Sequence, residues 1–400
     1  MPSRDPSSTD ADPKKPFGAR VSGAANDVGD FWTRVTNGMA IDQLWRQFRS
    51  EASEGYGLYS REVDWGAMPQ KKGIKRFFRS AWALFQVMLM KLSPARRILM
   101  LLAVGLFFFP VIAIFLPHAK GEGSENFFEF SAIALFILLA LELADRVIMK
   151  RDLEIAREIQ RWLVPHTPPA IAGVDIAFAT RPANTVAGDY YDAFERPAAP
   201  GSNEPGPLLL VVADVAGKSV PAALLMATFQ ASLHTLAAAH GPLDELVRAL
   251  NRYACAHSLD GLRFTTAFFA ELDASHRSLT YVVAGHNAPV LRRADGRIER
   301  LTEGGPPLGI VSPGLPTGYD CTTIAIAPGD ALIIFTDGVV EARDHSESEY
   351  GETRMISCIQ SVGHSDASSI LQQMMSDVDR FVGATRQHDD VTCLVLKLTS

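Results

Sequence analysis

The rhythm of apolar and polar positions divides the chain. From Met1 to about Asp30, Pro, Ser, Asp, Gly and Ala dominate and bulky apolar residues are almost absent, the pattern of a disordered tail that buries too little to offset ordering. Phe31 to Ser60 carries Phe31, Trp32, Val35, Met39, Ile41, Leu44, Trp45 and Phe48 at loosely helical spacing. Lys71 to Lys91 then interleaves Lys71, Lys72, Lys75, Arg76 and Arg79 with Phe77, Phe78, Trp82, Phe85 and Met88, which predicts an amphipathic helix at a membrane surface. Residues 31–92 are read together as a helical, partly amphipathic segment.

Ile98 to Leu116 is uncharged and about as long as a bilayer is thick, and Phe127 to Val147 follows with an apolar centre from Ser131 to Leu141. The short connection predicts a transmembrane hairpin over 98–116 and 127–147, although Glu129, Glu142 and Asp145 would also suit a buried soluble helix. Lys91, Arg96 and Arg97 precede the first span, Arg146, Lys150 and Arg151 follow the second, and the loop offers Lys120 against Glu122 and Glu125. That asymmetry puts both ends in the cytoplasm of a cell inner or plasma membrane. Arg146 to Leu163 continues as a charged linker helix, assigned to 148–165, with Ile148, Ile155 and Trp162 at heptad spacing. A parallel helix pair, and so a homodimer, is expected there. Pro165, Pro168 and Pro169 stop it, and 166–400 alternates strand-like and helix-like runs as one soluble unit.

Within that unit Leu208 to Ala213 is a short apolar run that reads as a buried strand. Asp214 ends it, Gly217 permits a tight turn, and Pro221 suits the first turn of a helix carrying Ala222, Leu225, Met226 and Phe229 inward. Gly217, Lys218 and Ser219 also look like the end of a phosphate-binding loop. The first glycine of such a loop would fall at Val212, inside the strand, and Asp214 would aim a negative charge into a nest for phosphates. Asp214 is therefore read as an acid at a strand-to-helix corner, with a helix cap as the plainer alternative.

Composition changes this picture little. A formal charge of −7 gives no global attraction to nucleic acid, and no nucleic-acid partner is expected. Cys255, Cys321, Cys358 and Cys393 are widely spaced, with no zinc-binding cluster, and read as small apolar residues in a reducing compartment. No cleaved secretory signal is expected. His286 and Asn287, between Leu279–Ala284 and Pro289–Arg292, read as hydrogen-bonding residues of a turn. There is no Gly-x-Ser-x-Gly elbow and no His-Glu-x-x-His motif, and a covalent hydrolase is disfavoured.

Acids recur where apolar runs end: Asp189 in Ala-Gly-Asp-Tyr-Tyr-Asp, Asp214, Asp337 in Ile-Ile-Phe-Thr-Asp-Gly, and Asp389-Asp390 before Val-Thr-Cys-Leu-Val-Leu. Singly, each would be a turn or cap residue. If the strands lie side by side the carboxylates converge, and they need cations to stay ionised. Oxygen-only donors suit Mg²⁺ or Mn²⁺, and two such ions about 4 Å apart hold a phosphoryl oxygen and activate water.

From Ala156 onward the chain resembles the SpoIIE/RsbU group of bacterial metal-dependent serine/threonine phosphatases, relatives of the type 2C protein phosphatases. The resemblance rests on Ile159-Gln160 with Leu163-Val164-Pro165, Gly188-Asp189-Tyr190-Tyr191-Asp192, Asp214-Val215-Ala216-Gly217-Lys218 and Leu225-Met226-Ala227. It continues through Ala284-Gly285-His286-Asn287, Pro307-Leu308-Gly309, Thr336-Asp337-Gly338-Val339-Val340-Glu341-Ala342 and Asp389-Asp390-Val391-Thr392. It implies an α+β fold, an α-β-β-α sandwich of two antiparallel sheets flanked by helices. It also implies that Asp189 and Asp214 bridge or flank two Mn²⁺ or Mg²⁺ ions, that the Val215 carbonyl adds a ligand, and that Asp337 with Asp389 holds one ion. Asp390 is the neighbouring candidate. Ala187 and Ser219 stand where the family usually has glycine, and Ser219 would be asked to adopt a positive φ.

The expectation is a membrane-tethered protein serine/threonine phosphatase in which Asp189, Asp214 and Asp337 are catalytic. By resemblance, its substrate is a phosphorylated regulatory protein of the anti-anti-sigma type. A catalytically idle phosphatase-fold scaffold is the alternative, and a membrane-bound nucleotide cyclase or hydrolase is a third, lacking a nucleotide-binding loop.

Overall fold

The computed structural model describes residues 74–113, 126–199, 201, 205–257, 263–275, 277–311, 318–363 and 365–399, together with Trp45 and Arg49. The expected tail over 1–30, most of the segment over 31–73 and the end of the first span lie outside the described residues. The chain divides into two compact units, Met1–Ala144 and Asp145–Ser400.

In the first unit α1 (Ile74–Lys91) is the basic amphipathic helix, without an acid in its first turn and with Trp82 and Met90 exposed. Helices α2 (Pro94–Ala113) and α3 (Asn126–Leu163) cover the two apolar runs. Ser131 Oγ donates to Ala103 O at 2.8 Å, and Arg96 pairs with Glu142 at 3.0 Å. These contacts set α2 and α3 antiparallel. Around the hairpin Leu102, Phe108, Phe130, Ile133, Phe136 and Leu139 face outward. α3 is long and apolar enough to cross a membrane.

The second unit is a two-sheet sandwich between helical layers. One sheet has the order β1-β11-β10-β6-β7: β1 (Val174–Arg181), β11 (Val391–Leu398), β10 (Ala331–Phe335), β6 (Val290–Arg292) and β7 (Ile298–Arg300). The other has the order β2-β3-β4-β5-β8: β2 (Tyr190–Glu195), β3 (Leu208–Val215), β4 (Thr265–Asp273), β5 (Ser278–Ala284) and β8 (Gly304–Gly305), with β9 (Thr322–Ala325) also on β5. Pairing is antiparallel except for the short β5–β8 contact.

Strand periodicity explains the layers. Leu208, Leu210 and Val212 meet Leu332, Ile334, Leu394 and Leu396 between the sheets. The alternate residues Leu209, Val211 and Ala213 pack outward on Met226, Phe229 and Leu233 of α4 (Val220–Ala237) and on Leu246 and Leu250 of α5 (Leu243–Ala256). On the far side Ile333, Phe335 and Val395 pack on α7 (Glu352–Ser361) and α8 (Ala367–Val382). A strand covered on both faces needs apolar residues at every position, which is why Leu208–Ala213 is unbroken rather than alternating. Each such side chain contributes about 1.5–3 kcal/mol by burial. The architecture is α+β, as expected.

Candidate metal and phosphatase site

The acids of both sheets come together where β3 and β10 run out. Asp214 is the penultimate residue of β3, opposite Thr266 of β4, and Asp189 lies in the turn entering β2. From the other sheet, Asp337 opens the short helix α6 (Asp337–Val340) directly after β10, and Asp389 and Asp390 precede β11. Burial raises the Asp214 carboxyl to about 7, with the charges of Asp337, Asp389 and Asp390 adding to the rise and Lys218 opposing it. Burial and then Asp389 push Asp337 up; burial and then Asp214 push Asp189 well up. These effects run between Asp189, Asp214, Asp337, Asp389 and Asp390, across both sheets.

Close backbone packing assembles it. A Cβ on Gly338 would lie 1.9 Å from Asp390 O, so glycine lets α6 touch the turn before β11. A Cβ on Gly188 would lie 3.2 Å from the Val215 carbonyl and 3.6 Å from Asp214 Oδ1, which locates that carbonyl beside the acids. The two adjacent acids differ. Asp390 accepts from Ala183 N at 2.7 Å and Gly188 N at 2.6 Å, one amide on each oxygen. Asp389 is half-exposed and accepts from Lys218 Nζ at 3.0 Å.

Several contributors are not singled out by sequence reasoning. Thr336 Oγ1 donates to Asp189 Oδ2 at 2.9 Å and accepts from Thr392 N at 3.0 Å, fixing Asp189 from the opposite sheet. Gln160, on the last turn of α3, donates to Ala187 O at 2.7 Å and accepts from Ala187 N at 2.9 Å. The signal was their place in quoted motifs: Thr336 precedes Asp337, and Gln160 follows Ile159. His286 is buried in the β5–β6 turn, 3.0 Å from Thr266 Oγ1 through Nδ1, while Nε2 has no hydrogen-bond partner among the described residues. Burial drives its pKa down to about 4, so it stays neutral. Asp192 turns away from the cluster to Tyr190 and His234.

Ser219 adopts φ 63°, ψ −143° without capping α4 through its side chain. That conformation suits glycine and costs a side-chain-bearing residue roughly 1–3 kcal/mol. Ser219→Gly is expected to raise unfolding free energy by about 1 kcal/mol in urea denaturation; an unchanged or lower midpoint would show that the turn is not strained.

The donor set is oxygen-only and mutually repelling, which fits a hard divalent cation in chemistry. Among the described residues no three His, Cys, Asp or Glu side chains are drawn in to ion-holding distance.

Residues 204–399 match the family model of stage II sporulation protein E (SpoIIE). The chain carries a SpoIIE-type domain. Two relatives extend that match: protein IcfG of Synechocystis sp. is 27% identical over 297 residues, covering 68% of this chain and 45% of IcfG. Phosphoserine phosphatase RsbU of Bacillus subtilis is 27% identical over 255 residues, covering 62% of this chain and 70% of RsbU. The chain thus spans a little under half of IcfG. The solved SiaA-PP2C domain of Pseudomonas aeruginosa superposes with a TM-score of 0.55 at 18% identity, covering 64% of this chain and 98% of that domain. At that identity the SiaA likeness concerns the fold, and it is the fold that the SpoIIE-type domain shares with it.

Proposed function

We propose that the chain is a membrane-tethered, Mn²⁺- or Mg²⁺-dependent phosphatase that hydrolyses phosphoserine or phosphothreonine on a regulatory partner protein. The observation that carries this reading is the gathering of carboxylates from both sheets at the ends of β3 and β10, where burial and neighbouring carboxylates raise Asp189, Asp214 and Asp337. The name of RsbU as a phosphoserine phosphatase supports the choice of phosphoester.

In this reading Asp214, Asp337, Asp389 and the Val215 carbonyl hold the ions. Asp189 completes the set, fixed by Thr336. Asp390, with an amide on each oxygen, holds the Gly188–Asp189 turn in place. When bound, divalent ions supply Lewis acidity toward the phosphoryl oxygens and lower the pKa of water. The chain's part is to fix the acids in one cluster, with buried His286 held against Thr266, the β4 partner of Asp214. Residues 166–400 form the phosphatase domain, and the partner is of the anti-anti-sigma type.

The test is release of inorganic phosphate from phosphoserine, phosphothreonine and phosphotyrosine proteins by the full chain, with Mn²⁺ or with EDTA. Mn²⁺-dependent release from the first two supports the reading. Folded protein that binds the phosphoprotein without turnover identifies a scaffold instead.

The membrane arm rests on the α2–α3 hairpin, its outward apolar side chains and the flanking Lys and Arg. Ser124→Cys and Ser202→Cys are expected to react with an impermeant maleimide from opposite sides of the membrane; reaction from the same side removes the hairpin. Ile148, Ile155 and Trp162 are exposed along α3, in keeping with a second copy pairing there.

A further inference from the structure

Lys218 is not among the residues proposed to hold the ions, yet its ammonium sits on one of them. It follows Gly217, whose φ is 123°, in the turn between β3 and α4. From there it reaches across to the other sheet's loop and donates to Asp389 Oδ2 and to His388 O, both at 3.0 Å. Its charge also favours the ionised forms of Asp214 and Asp337. The pair is open to solvent, with side chains 60% and 45% exposed, so it is easily parted. An exposed cation on the one half-exposed carboxylate of a crowded acidic cluster is well placed to neutralise it and poorly placed to act as a permanent staple.

We infer that Lys218 is the site's internal counter-cation: it occupies Asp389 until a divalent ion takes that oxygen, and so sets the metal affinity by competing with the ion. This rests on the metal-binding reading of the acids. A tethered ammonium and a divalent ion cannot both hold the same carboxylate oxygen without mutual repulsion, and the stronger charge displaces the weaker. Two consequences have opposite signs. Without Lys218 the acids repel one another unrelieved when no ion is present, and they bind an incoming ion more tightly.

The experiment titrates Mn²⁺ into the detergent-solubilised full chain by calorimetry, with thermal melts in EDTA alongside. Lys218→Met is expected to tighten Mn²⁺ binding about tenfold, the order set by removing one charge close to a divalent ion in a partly solvated site. It is also expected to lower the melting temperature in EDTA. Lys218→Gln should repeat both effects, and Lys218→Arg, which keeps the charge, should keep the wild-type affinity. A residue that merely staples the loop would give weaker Mn²⁺ binding in Lys218→Met, and a decorative surface pair would give no change. Either result overturns the inference while leaving the metal site standing. Wild-type protein that binds no Mn²⁺ overturns both this inference and the reading beneath it.

Discussion

Asp337→Asn is expected to leave the chain folded and to reduce Mn²⁺-dependent phosphate release by at least about a hundred-fold, since even the outer partners of metal ligands are worth roughly 10–100-fold. The reason is charge. An amide keeps the shape of the side chain at the start of α6 but supplies no negative charge to a divalent ion. The same substitution removes one member of a repelling cluster, because the Asp337 carboxyl is raised by burial and then by Asp389. In EDTA the variant should therefore melt no lower than wild type, and activity and stability should move in opposite directions. Asp389→Asn is expected to behave in the same way. Initial rates and thermal melts on one preparation check both halves. Near-normal turnover on a phosphoserine substrate would remove Asp337 from the site.

The second large effect is a reversal of pH dependence by metal. Asp214 rises from its ordinary 3.8 to about 7 on folding, chiefly through burial. A carboxyl raised in this way keeps its proton in the folded chain at pH values where the unfolded chain has lost it, so folding takes up a proton between about 4 and 7. The stability contributed by Asp214 must fall as pH rises through that window, with the loss complete above the folded pKa. Asp189, Asp337 and Asp390 are raised in the same direction. Each pKa unit corresponds to about 1.4 kcal/mol, so the cluster costs a few kcal/mol at neutral pH in EDTA. Saturating Mn²⁺ should cancel that loss by binding the ionised form. Urea melts of wild type and Asp214→Asn from pH 4 to 8, with and without Mn²⁺, read this as the difference between the two curves. His286, driven down to about 4, adds stability over the same window, so the comparison that decides is wild type against Asp214→Asn: a difference in EDTA stability that does not move against the wild type as pH rises would contradict the clustering.

How much of this was legible in the sequence follows from what each feature depends on. β3 and its corner were, because a strand buried on both faces leaves a continuous apolar run and Pro221 marks the helix start. The acids were legible as a set because each ends an apolar run, and the motif resemblance added their order. Short strands such as β7 and β8 were not, since two or three residues carry no periodicity. The difference between Asp389 and Asp390 was also hidden: adjacent acids look alike until amides from Ala183 and Gly188 engage one of them. Thr336 and Gln160 depend on partners 147 and 27 residues away in sequence, a relation no local pattern records. Ser219 shows the opposite case, where a departure from glycine in a motif foretold its positive φ.

The central claim is that these carboxylates hold divalent ions. The most direct measurement is Mn²⁺ binding to the full chain, followed by the electron paramagnetic resonance signal of the free ion, for wild type and for Asp214→Asn, Asp337→Asn and Asp389→Asn. The account predicts about two ions per wild-type chain, with at least one lost or greatly weakened in each variant while the melts stay cooperative. Full stoichiometry and unchanged affinity in all three variants would contradict it.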